Sequence, residues 1–86
     1  MAEKTSFKLE VIRPTKSETF SVLWIDVDGL SGNFLIGYNH SPLLSTLRPQ
    51  SKIVLKLEGE QEEKIDVFDG GIIKVKDNYA ILIFDH

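Results

Sequence analysis

Eighty-six residues with 42% apolar and 27% charged side chains bound the chain to one domain, residues 1–86, with a thin but real core. A net charge of −3 with ten scattered lysines and arginines argues against a nucleic-acid face, and the absence of cysteine removes thiol catalysis, disulfides and thiolate metal sites. The opening MAEKTSFKLE has no apolar signal region and no run is long enough to span a bilayer. The chain is therefore expected to be soluble, without direct membrane insertion, and to reach any membrane through another subunit.

Taken in order, the pattern has a period of two. Phe7, Leu9 and Val11 alternate with Lys8, Glu10 and Ile12 before Arg13-Pro14 stops the run, which predicts a strand with one buried face. Pro14 to Ser17 forms a turn. Thr19 to Val27 reads as a second strand, with Leu23, Ile25 and Val27 on one side and Phe20, Val22 and Trp24 on the other. Asp28-Gly29 carries a hairpin signal, and Phe34-Leu35-Ile36 is a short strand. Pro42 to Leu47 fits a helical turn or a strand, ended by Arg48-Pro49. Further strands cover Ile53–Leu57, Lys64–Phe68, Ile72–Lys76 and Tyr79–Phe84. They are separated by an acidic tip at Glu58–Glu63, a bend at Gly70-Gly71 and a turn at Asp77-Asn78. Short strands with regular turn signals predict an all-β flattened barrel or sandwich of about eight to ten strands. The expected core is Leu9, Val11, Leu23, Ile25, Leu55, Val67, Val75 and Leu82.

The segment GNFLIGYNHSPLL, Gly32 to Leu44, places glycines, Asn, His and Pro between two apolar runs and reads as a shaped surface loop. His40 within it has no recognisable nucleophile or ligand partners, which favours a role in turn shape or contact over catalysis. Asp26 and Asp28 form no ligand-rich loop, and the Asp-Gly turn accounts for Asp28. Gly70-Gly71 lacks the phosphate-loop spacing and a following helix, so a backbone bend is expected. Trp24 is a core candidate. Tyr38 is a candidate contact anchor, because its ring gives large area at low entropic cost. No catalytic, metal or cofactor-binding set emerges, nor a small-molecule site. What remains is a binding module.

Three segments carry a family resemblance: FKLEVIRPTKSETFS, GNFLIGYNHSPLLSTLRP and FDGGIIKVKDNYAIL. In order and spacing they resemble the N-terminal β-domain of the epsilon subunit of F-type ATP synthases. The resemblance implies a non-catalytic rotor subunit on the central stalk. Its partners would be the gamma subunit and the membrane c-ring, at the cytoplasmic face of the membrane. It also implies that Asn33 and His40 lie near the c-ring and that Arg13 and Ser45 face gamma, with Tyr38 added from its chemistry. The chain departs from the family pattern at Asn33 (family Glu), at Tyr38-Asn39 (family Pro-Gly) and at Asp69 (family Ser). It stops before the family's C-terminal helical hairpin, which predicts coupling without self-inhibition of that kind. The competing reading is a free-standing β-sandwich module for a peptide or carbohydrate, with Trp24 and Tyr38 in one groove.

Overall fold

The period-two pattern folds into eight β-strands in a computed structural model that describes residues 5–59 and 61–85. They are β1 (Phe7–Ile12), β2 (Ser17–Gly29), β3 (Gly32–Gly37), β4 (Leu43–Thr46), β5 (Ser51–Leu57), β6 (Glu62–Val67), β7 (Gly71–Lys76) and β8 (Tyr79–Phe84). The described residues contain no helix, so the choice left open over Pro42–Leu47 resolves to strand.

One sheet runs β4-β7-β8-β1-β2-β5-β6, with β3 also on β2. The 13-residue β2 organises it. Its residues Ser17–Val22 pair with β1, its residues Trp24–Gly29 pair with β3, and β5 pairs across Val22–Asp26. A strand has two edges, so β1 and β3 share one edge of β2 and β5 takes the other. The neighbours are antiparallel except β1 and β8, which pair in parallel from Lys8↔Tyr79 to Ile12↔Ile83. The sheet curls until the end of β4 meets the end of β2. A Gly29↔Leu47 bridge and the Arg48 N to Asp28 O bond (2.9 Å) join them. The result is a flattened half-barrel with one wall of β4-β7-β8-β1 and another of β3-β2-β5-β6.

The inward faces of both walls make one core, which includes Leu9, Val11, Val22, Ile25, Ile36, Ile53, Leu55, Ile73 and Leu82, each no more than 1% exposed. Seven of the eight expected core residues are buried there; Leu23 is the exception. The register of β2 against β5 shifts between Val22 and Trp24, which marks a β-bulge. An extra residue reverses the alternation at that point. Val22 therefore faces inward together with Ile25 and Val27, and Leu23 is only half-buried. Trp24, expected as core, is also half-buried and stands outside the core cluster.

Two turn assignments change as well. Asp28 and Gly29 remain in strand, and the β2–β3 hairpin closes at Leu30-Ser31 over the pair Gly29↔Gly32. The Asp-Gly account of Asp28 therefore fails: its carboxylate instead accepts a 3.1 Å bond from Arg48 Nε. In the glycine pair, Gly70 supplies the bend with φ 104°, whereas Gly71 begins β7 and is close-packed. A Cβ on Gly71 would lie 2.6 Å from the Ile83 carbonyl.

Candidate interaction surface

The Gly32–Leu44 segment is half strand. Only Tyr38–Pro42 forms the loop, between β3 and β4. His40 N bonds Gly37 O at 3.2 Å, so Gly37–His40 is a β-turn, and Asn39 at its third position has φ 63°. A positive φ there is the mark of a type II turn, which takes Gly or Asn. Asn39 thus adopts the backbone shape that a glycine supplies, and Tyr38-Asn39 preserves the turn that Pro-Gly would make.

Asn39 is also anchored from a distance. Its N–H donates to Asn78 Oδ1 at 2.7 Å, and Asn78 Nδ2 donates back to Asn39 Oδ1 at 3.0 Å. Asn78 sits with Asp77 in the β7–β8 turn, where both have positive φ (60° and 53°). Next to Asn39, Tyr38 is 45% exposed. His40 Nδ1 lies 2.7 Å from Ser41 O; a carbonyl only accepts, so Nδ1 carries the proton and Nε2 is the nitrogen left to accept.

The other expected contact residues lie elsewhere. Asn33, at the opposite end of β3 from His40, donates through Nδ2 to Asp26 Oδ1 (2.9 Å) and Val27 O (3.0 Å), which commits its amide to β2. Ser45 on β4 lies beside Gly29, whose added Cβ would stand 3.1 Å from Ser45 Oγ. Arg13 follows β1, with its guanidinium 4.7 Å from the Phe84 ring centroid. Tyr38 and His40 are thus brought together, Asn33 and Ser45 lie toward the β2–β3 tip, and Arg13 lies at the far end of β1.

A surface not found in the sequence lies on the wall that carries two of them. On the outward side of the β4-β7-β8-β1 wall, Thr46 pairs with Ile72, Ile72 with Ile83 and Ile83 with Ile12. The next row is Leu44, Lys74, Ile81 and Glu10, and beyond it Tyr79 lies between Lys76 and Lys8. Leu44 is 71% exposed, Ile83 43% and Ile72 42%. The first row therefore crosses four strands, with exposed Ile72 and Ile83 as its apolar centre, Thr46 at one end and half-buried Ile12 at the other. It runs from the neighbour of Ser45 to the neighbour of Arg13. Tyr79 O–H donates to Glu10 Oε1 at 2.6 Å on the same face. This bond raises the Tyr79 pKa above its ordinary 10.0, with smaller contributions from desolvation and from the Glu10 charge. Among the described residues, no three His, Asp or Glu side chains converge as a metal site, and no helix is long and apolar enough to cross a membrane.

This half-barrel of short strands, with an open outer face and a docked loop, defines a β-sandwich interaction domain. Residues 6–86 match the family of the ATP synthase Delta/Epsilon chain, beta-sandwich domain, and the chain belongs to that family. It is 33% identical over 88 residues to the ATP synthase epsilon chain of Wolbachia pipientis subsp. Culex pipiens (strain wPip), covering 94% of this chain and 76% of that relative. Its fold matches a chain of the Euglena gracilis mitochondrial ATP synthase (OSCP/F1/c-ring, rotational state 1) with a TM-score of 0.86 at 16% identity. That match covers 95% of this chain and 52% of the Euglena one, so this chain spans about half its length. A chain of the Tetrahymena thermophila mitochondrial ATP synthase central stalk and c-ring matches with a TM-score of 0.73 at 18% identity, covering 98% of this chain and 69% of that one.

Proposed function

We propose that this domain is a non-catalytic central-stalk element of a rotary ATP synthase that couples a gamma subunit to the membrane c-ring, at the cytoplasmic face of the membrane. The observation that carries the proposal is the stripe Thr46–Ile72–Ile83–Ile12. It lies on the wall whose two ends carry Ser45 and Arg13, the residues that the family resemblance turns toward gamma, with their side chains on the opposite face of the sheet. An open apolar row on a rigid wall gives non-directional adhesion, and the strand hydrogen bonds behind it resist shear. The c-ring contacts fall to Asn33 at the β2–β3 tip and, at the other end of β3, to Tyr38 and His40. The domain's task is mechanical: it holds two partners in register and moves no proton or electron.

The test is reconstitution of a purified gamma–c-ring stalk with the wild-type domain, Ile83→Lys and His40→Glu, with thermal melts of each protein alone. Full burial of an isoleucine contributes about 1.5–3 kcal/mol, so a charge at Ile83 should weaken stalk binding more than tenfold. His40→Glu should weaken assembly at the ring side. Both melts should stay near wild type, since neither side chain belongs to the core. Undiminished assembly of Ile83→Lys would overturn the reading. Retention of a peptide or oligosaccharide by the wild-type domain, without stalk binding, would favour the free-standing module.

A further inference from the structure

We infer that Asn78 is a positioning residue for the docking loop: its carboxamide holds Asn39, and through it the Tyr38–His40 turn, in the shape a partner meets. The inference rests on the proposed docking role of that loop. Three observations carry it. The two carboxamides satisfy each other across 39 positions of chain, with Asn39 N–H on Asn78 Oδ1 and Asn78 Nδ2 on Asn39 Oδ1. Little else holds the loop, because Tyr38, Asn39, Ser41 and Pro42 are all exposed and the local bonds are the turn bond and the His40–Ser41 contact. Asn78, by contrast, is built into the frame, in the tight turn between β7 and β8 and with its carbonyl 3.4 Å from Lys8 N of β1.

The chemistry explains why both positions are asparagine. Each backbone has a positive φ, which Asn tolerates better than most residues. Glycine would tolerate it too, but glycine offers no side chain for the second bond. A carboxamide both donates and accepts, so two of them close a reciprocal pair without a buried charge. An exposed turn held by its own few bonds samples many shapes, and a partner that needs one shape loses affinity and association rate in proportion. Fastening the turn to the β7–β8 corner removes that loss before the partner arrives.

The experiment compares wild type with Asn78→Gly and Asn78→Asp. Glycine keeps the positive φ of the β7–β8 turn and removes both bonds. Aspartate keeps an acceptor for Asn39 N–H, and the Asn39 carboxamide can turn over to donate to it. Amide hydrogen exchange on the free domain should show Asn39 exchanging about tenfold faster in Asn78→Gly, with β7 and β8 core amides unchanged and protection largely restored in Asn78→Asp. Association with the gamma–c-ring stalk should slow several-fold in Asn78→Gly and recover in Asn78→Asp. Unchanged exchange at Asn39 overturns the inference. So does faster exchange with unchanged association when His40→Glu still impairs assembly, because the pair then serves only the fold. If His40→Glu and Asn78→Gly both assemble like wild type, the docking role of the loop itself falls.

Discussion

At the scale of single residues, asparagines stand at positions where the resemblance implies other chemistry. Asn33 stands where the resemblance implies a charged ring contact, yet its amide donates back to Asp26 and Val27 of β2. A neutral, committed side chain leaves little charge to screen, so stalk binding should change less with ionic strength than binding through an ion pair. A titration of affinity against salt checks this, and a steep loss would implicate charges elsewhere. Tyr79 offers a pH probe. A phenol whose ionisation is pushed up in the fold stabilises the native state fully below its ordinary pKa, and that contribution is lost as pH rises through the folded value. In a Tyr38→Phe background Tyr79 is the sole tyrosine. Its phenolate absorbance should rise above the ordinary 10.0 and move back down when Glu10→Gln removes the neighbouring charge. Coincident titrations with and without Glu10 would contradict the hydrogen bond.

At the scale of elements, alternation was enough to locate nearly every strand and most of the core, because each inward face must be apolar in a sheet that is wetted on its other side. It failed where one residue was added. The bulge after Val22 cannot be seen in a strand whose two faces are both apolar, so Leu23 and Val22 exchange roles. Stability measurements should separate them. Leu55→Ala, at a fully buried site, should cost on the order of 2–5 kcal/mol, and Leu23→Ala clearly less. Gly71→Ala forces a methyl against the Ile83 carbonyl and should cost about 1–3 kcal/mol, whereas Gly37→Ala meets open space. Denaturant midpoints would decide both comparisons. The contact surfaces were far less legible. Thr46, Ile72, Ile83 and Ile12 become neighbours only through three separate strand registers, and Asn39 meets Asn78 only because two turns fall at the same end. A linear pattern records which way a side chain faces, not which strand lies beside it.

At the scale of the whole molecule, the parallel pairing of β1 with β8 sets the order in which the domain can be completed. β1 waits, with one edge unpaired, until β8 is synthesised. A ribosome that has released only the residues before Tyr79 has made β1 to β7 but cannot join the β4–β7 pair to β1 through β8. Long-range pairing of this kind carries the full loop-closure entropy before any return, which makes it a late event in folding. The outward row Thr46–Ile72–Ile83–Ile12 takes two of its members, Ile83 directly and Ile12 by adjacency, from this β1–β8 junction. An incomplete chain would therefore lack the face by which a stalk would engage it. A nascent-chain series ending before and after Phe84 should show protease resistance and stalk binding arising together, only in the longer members. Closure of β8 is thereby written into the proposed docking face itself, so a chain cut within that strand should fail the binding test for a reason visible on its surface.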